Sequence, residues 1–171
     1  MTNLGTKLIF ILSLVSTLSF ADYATVTKAI DGDTVYFNMN GDEVKCRFAY
    51  VDTPESKKNE KAKKDASKCS GVTIDYMVEA GKEAAQYTKE YFKKGSKHNV
   101  KIVDTDRYGR AVCEIDNFNI ELVEAGYAVP FVQYIPMLKQ REYKVAVQEA
   151  KKNRAGLWGS HNSVMQCMDL R

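Results

Sequence analysis

The sequence predicts an α+β fold, mainly β: five strands that close into a barrel, with three helices packed on it. Two observations carry this. Strand-like segments come as three and then two, with an amphipathic helix between the third and fourth, which is the order of an OB-type barrel. The chain has 171 residues, of which 44% are hydrophobic and 27% charged, enough for one core and too few charges for a disordered chain. No internal repeat and no dividing linker interrupts it, so one domain is expected.

The first element is a leader. Lys7 supplies a positive start, Leu8 to Phe20 is apolar or hydroxylated, and Ser19-Phe20-Ala21 sets small residues at a cleavage site. The apolar run is shorter than the roughly 20 residues of a spanning helix. Residues 1–21 therefore read as a signal peptide and 22–171 as the mature domain, exported to the periplasm or secreted, without stable membrane association after cleavage. With no Cys near the cleavage site, a lipid anchor is not indicated.

After the leader, Ala24 to Ile30 is rich in β-branched residues, Asp31-Gly32 breaks it, and Thr34 to Met39 resumes it. Asn40-Gly41 is a hairpin signal, and Val44, Cys46, Phe48 and Tyr50 then alternate with Lys45, Arg47, Ala49 and Val51. Ser56 to Ser70 holds six lysines, Lys57, Lys58, Lys61, Lys63, Lys64 and Lys68, and reads as a mobile, solvated basic loop. From Ile74 a helix carries Met77, Ala80, Ala84, Tyr87 and Tyr91 on one face until Gly95. Strands over His98–Val103 and Arg110–Ile115 flank a polar turn. Asn119 is placed to cap a short helix through Ala125 with Gly126 as its stop. Pro136 is placed to start a last helix with Tyr143, Val147 and Ala150 as its stripe, closed by Gly156.

Charge says little about partners. The whole chain carries +3, and loss of Lys7 with the leader leaves 24 basic against 22 acidic residues, too weak a bias to imply nucleic acid. Four cysteines, Cys46, Cys69, Cys113 and Cys167, all fall in the exported part, an even number suited to disulfides. They lack zinc-ligand spacing, and His98 and His161 lie far from each other in sequence.

Three short clusters carry the chemistry: Ile30-Asp31-Gly32-Asp33-Thr34; Arg47 with Asp52-Thr53-Pro54-Glu55; and Asp106-Arg107-Tyr108-Gly109-Arg110. Singly, each is readable as a turn or a loop start. Together, in this order and on strand ends, they resemble the staphylococcal nuclease family, the thermonucleases. The resemblance runs from about Ala24 to Trp158 and takes in the Asn119–Gly126 and Ala155-Gly156-Leu157-Trp158 segments.

That resemblance implies a five-stranded OB barrel with three helices and one calcium-dependent phosphodiesterase site. Asp33, Asp52 and the Thr53 carbonyl match the family's metal ligands, all hard oxygens of the kind calcium takes. Arg47 and Arg110 match its two arginines, planar forks that hold phosphate oxygens as charge builds there. Glu55 matches the carboxylate that accepts a proton from the attacking water or orients it, two roles that sequence does not separate. Tyr108 and Tyr134 match nucleotide-packing positions, Arg107 replaces a lysine near a terminal phosphate, and Val132 stands where a second tyrosine is usual. The implied activity is endonucleolytic hydrolysis of DNA and RNA, single strands preferred, giving 3′-phosphates, by a monomer. The alternative is a barrel that has lost catalysis and only binds nucleic acid, for which a carboxylate-rich patch would be a liability.

Two features depart from the family's best-known member: a longer basic segment after Glu55, and cysteines. His98 and His161 match no family role and are read as surface residues. Alternation puts Cys46 opposite Arg47 and Cys113 opposite Arg110 and Val112. With both arginines facing the cleft, both sulfurs face the barrel interior, and the OB order makes their strands neighbours. A Cys46–Cys113 bridge is therefore expected, leaving Cys69 for Cys167; the alternative is a pair of buried thiols serving as small hydrophobes.

Overall fold

The computed structural model describes residues 23–170. The leader lies outside the described residues. The elements run β1 (Tyr23–Asp31), β2 (Thr34–Met39), β3 (Asp42–Phe48), β4 (Val51–Asp52), α1 (Glu60–Ser67), α2 (Ile74–Tyr91), β5 (Lys97–Thr105), β6 (Ala111–Ile115), α3 (Phe118–Glu124), β7 (Val129–Pro130), a 3-10 turn (Val132–Tyr134), α4 (Met137–Lys152), α5 (Leu157–Ser160) and α6 (Asn162–Asp169). Five strands close a barrel in the order β1-β2-β3-β6-β5, with β5 returning to β1. All pairs are antiparallel except β3 with β6, which is parallel. This is the predicted mainly β barrel.

The β2–β3 hairpin turns on Asn40 and Gly41 at φ 55° and 99°, the left-handed pair that a two-residue turn between twisted strands requires. Alternation then fills the barrel with Val26, Val35, Phe37, Cys46, Phe48, Cys113 and Ile115, all essentially inaccessible. Phe48 packs on Phe92 at the end of α2 and on Phe118 at the start of α3, both at ring separations of 5.5 Å, so one aromatic cluster joins barrel and helices. Cys46 and Cys113, on the neighbouring strands β3 and β6, form a disulfide, and Cys69 pairs with Cys167 of α6; both Cα separations are 5.6 Å.

Several expectations are corrected. The basic stretch from Ser56 to Ser70 is no loop throughout: Glu60–Ser67 is α1, because the Asn59 side chain accepts from Ala62 N at 2.8 Å and Glu60 adds a negative charge to the first turn. Asn119 does not cap α3; Asn117 holds that position. The buried Asn119 amide instead bonds Ile115 N, Ala49 O and Cys113 O, tying α3 to β6 and to the turn that follows β3. The third strand stops at Phe48, since Tyr50 sits at φ 69° and turns the chain. The described residues hold six helices rather than three, and α4 is not the last, since α5 and α6 follow it and α6 is fastened by the second disulfide.

Neither histidine is a plain surface residue. His161 is 5% exposed and stacks on Tyr76 at 4.7 Å, and half-buried His98 bonds Asp116 and Ser96, both at 2.9 Å. A ring with an apolar body and two polar ends packs well where a neighbour satisfies each end. No helix among the described residues is long and apolar enough to cross a membrane.

Candidate active site

Backbone register gathers the first two clusters. Thr34 of β2 pairs with Arg47 of β3, and Phe48 N donates to Asp33 O at 2.8 Å, so the Asp33 turn lies beside the end of β3. Tyr50 reverses the chain, and Val51–Asp52 of β4 then pairs with Val129–Pro130 of β7. Asp52 is thereby presented at the same end, with Thr53, Pro54 and Glu55 following.

Two glycines let this loop lie close. A Cβ on Gly81 of α2 would sit 2.2 Å from the Glu55 carbonyl oxygen, and one on Gly32 would sit 2.8 Å from Thr53 Oγ1. Neither contact is tolerable, so the Thr53–Glu55 loop lies against α2 and against the β1–β2 turn only because both residues lack a side chain.

At the centre stands Arg47, with its side chain 14% exposed. One terminal nitrogen donates to Asp33 Oδ2 and the other to Asp52 Oδ1 at 2.9 Å. Burial works against the guanidinium charge, but Asp33, Asp52, Asp31 and Glu55 outweigh it and hold the proton more firmly than usual. Burial likewise opposes the Asp33 charge, yet Arg47 and Lys61, with hydrogen bonds from its neighbours, keep that carboxyl below its ordinary range. Asp31 is the converse: burial and the adjacent Asp33 charge push it up to about 7.

Glu55 is gripped at both oxygens. Asn59 Nδ2 donates to Oε2 and Lys61 Nζ to Oε1, each at 2.7 Å. Lys61 also reaches Asp52 Oδ1 at 3.3 Å and Asp65 Oδ2 at 3.6 Å. Against the cost of burial, Asp52, Glu55 and Asp33 raise its affinity for its proton well above that of an ordinary lysine.

The third cluster takes other partners. Arg110 Nε pairs with Asp106 Oδ2 at 2.6 Å, and Asp106 Oδ1 accepts from the backbone of Tyr108 and Arg110, which shapes the turn. The β3–β6 register aligns Cys46 with Ala111 and Arg47 with Val112, which sets Arg110 on the outer side that Arg47 occupies. Tyr108, 70% exposed, has the Arg107 guanidinium over its ring at 4.8 Å and that of Arg110 at 5.7 Å. Tyr134 and Val132, each 62% exposed, lie in the turn that follows β7, with Phe131 edge-on to Tyr134.

Among the described residues no three His, Cys, Asp or Glu side chains gather as a ligand set. What the cleft offers a cation is a pair, Asp33 and Asp52, 7% and 9% exposed, beside the buried Thr53 backbone. Two nearly buried carboxylates paired with side-chain cations form a place that demands positive charge, and their hard oxygens suit calcium or magnesium rather than zinc.

Residues 45–160 match the family model described as staphylococcal nuclease homologue. The chain belongs to the staphylococcal nuclease family. It is 33% identical over 156 residues to an uncharacterized protein of Methanocaldococcus jannaschii, covering 82% of this chain and 73% of that one. It is 28% identical over 145 residues to the endonuclease YncB of Bacillus subtilis, covering 82% of this chain and 63% of YncB, so it spans less than two thirds of that relative. The thermonuclease of Staphylococcus hyicus is also 28% identical over 145 residues, with 79% and 75% covered.

Family residues were visible as motifs; their supports were not. Asp31 stood inside a quoted cluster without a role. Asn59 was findable, since an Asn followed by Glu opens many helices. Lys61 was one of six lysines, and nothing local distinguished it. Gly81 offered no signal, because its reason is a contact with a loop 26 positions earlier in sequence.

Proposed function

We propose that this protein is an exported, calcium-dependent endonuclease that hydrolyses phosphodiester bonds of DNA and RNA, acts on single strands by preference as a monomer, and leaves 3′-phosphates. The observation that carries this reading is the Asp33–Arg47–Asp52 ion-paired cluster with Glu55 on the adjoining loop. A binding module has no use for three carboxylates where phosphate must approach.

Asp33, Asp52 and the Thr53 carbonyl would hold the calcium, which supplies positive charge against the phosphate oxygens when bound. Arg47 is a fork already desolvated at the bottom of the cleft, so its hydrogen bonds strengthen as the phosphate gains charge. Arg110 adds a second fork once it exchanges Asp106 for phosphate. Glu55 takes or orients the proton of the attacking water. Tyr108 and Tyr134 offer exposed faces on which any base stacks, which suits low sequence specificity, and Arg107 lies beside Tyr108 to meet a neighbouring phosphate. Two disulfides are stable in an oxidising compartment, which supports export.

The test is incubation of the purified mature protein with single-stranded DNA and with RNA, in calcium and in excess chelator. Cleavage of both polymers in calcium alone, with 3′-phosphate ends, is expected. Equal cleavage in chelator, or binding without cleavage in calcium, would overturn the reading.

A further inference from the structure

Lys61 is a cation tethered inside the acidic cleft. It lies in the first turn of α1, its Nζ contacts Glu55, Asp52 and Asp65 together, and its side chain is 43% exposed. We propose that Lys61 is an internal competitor for the divalent metal: in the metal-free protein its ammonium is shared between Glu55 and Asp52, beside Arg47 on the latter, and it has to leave Asp52 when the metal enters. This rests on the calcium reading above.

Three features make this a built arrangement. Asp52 Oδ1 already holds two cations, Arg47 at 2.9 Å and the Lys61 ammonium at 3.3 Å; a divalent ion on that carboxylate repels both, and Lys61, the farther and the more exposed of the two (43% against 14%), is the one that yields. The helix backbone is fixed at each end, by Asn59, which caps α1 and bonds Glu55, and by the Cys69–Cys167 disulfide just beyond the helix. The side chain therefore moves while its base stays. Asp65, on the same helix face four residues on, and open solvent both offer the ammonium somewhere to go.

Competition of this kind has an opposite sign from simple support. A residue that merely orders Asp52 and Glu55 strengthens metal binding, whereas a competitor weakens it. Removing one positive charge from the contact zone of a divalent ion should tighten calcium about tenfold, with the metal-free protein losing several degrees of thermal stability because Glu55 loses its ion-pair partner and Asp52 one of its cations.

The experiment is calorimetric titration of calcium into the disulfide-intact mature protein, with Lys61→Met, Lys61→Gln and Lys61→Arg variants, and with Lys64→Met as a control on the same helix. Each variant's fold is checked by circular dichroism and its metal-free melting temperature recorded. Tighter calcium in both neutral variants, parental affinity in Lys61→Arg and Lys64→Met, and lower metal-free melting in the neutral pair are expected. Equal or weaker calcium binding in both neutral variants, against a parent that binds, would overturn the competitor role and leave the calcium reading standing. Absence of any calcium heat in parent and variants alike would overturn both.

Discussion

Replacing Arg47 by Met should cost the metal-free protein more than any other single change in the cleft. The guanidinium bridges Asp33 and Asp52, whose side chains are 10% and 13% exposed, and is itself 14% exposed. At 2.9 Å and an effective dielectric of about 20, its attraction to Asp52 alone is ~6 kcal/mol. Much of that offsets the desolvation of three charges, so the attraction overstates the loss. What decides the outcome is that two carboxylates lose the guanidinium that bridges them, with Lys61 3.3 Å from Asp52 too far to replace it at Asp33, and stripping a partner from buried charges costs about 3–5 kcal/mol. In a domain of this size that is a fall of ~6–20 °C in melting temperature. Melts of Arg47→Met, Asp33→Asn and the double variant, all in chelator and without substrate, measure it. The double variant should melt above Arg47→Met, because it removes one of the stranded charges. Melting of Arg47→Met within ~2 °C of the parent, or losses that simply add, would refute the bridge as a stabilising element.

Gly81→Ala should lower turnover at least about tenfold and destabilise by ~1–3 kcal/mol, despite the better helix propensity of Ala, because the new Cβ collides with the Glu55 carbonyl and pushes the loop away; unchanged kinetics would show that the loop has room. Glu55→Gln and Arg110→Ala should reduce kcat by about a hundredfold or more while binding of an uncleavable single-stranded analogue persists, as expected of groups that act in the transition state. Parallel loss of binding would move either residue to substrate affinity instead. Removal of the Cys46–Cys113 bridge by double Ala substitution opens a 67-residue loop, worth ~4 kcal/mol in chain entropy and less here because the Cys69–Cys167 loop overlaps it. Urea unfolding should show a loss of about 2–4 kcal/mol, and a loss under ~1 kcal/mol would rule out the entropic account.

The barrel was legible because its signals are local. Alternation set Cys46 and Phe48 on one face and Cys113 towards the interior, and Asn40-Gly41 marked the hairpin, each from a few adjacent residues. Where local and tertiary preferences compete, the reading failed. Asn119 has the chemistry of a cap, yet three buried backbone groups needed an amide to bond, and that demand moved the cap position to Asn117. The lysine-rich segment looked solvated because lysine usually is, and one of its lysines is instead claimed by Asp52, Glu55 and Asp65.

The cleft shows why its core was readable and its frame was not. Asp33, Arg47, Asp52 and Glu55 sit at strand ends and a loop start, where turn chemistry and ionisable side chains coincide within a few positions, so sequence spacing reports spatial grouping. Asn59, Lys61 and Gly81 reach the same loop from α1 and α2, and their relation to Glu55 exists only after the chain has folded. The two sets also carry different loads. On the proposed nuclease reading the strand-end residues face the phosphate, while the helical ones set where Glu55 stands and what charge surrounds it. Changes in the helical set should therefore shift metal affinity and turnover by degrees, whereas changes in the strand-end set should abolish turnover outright.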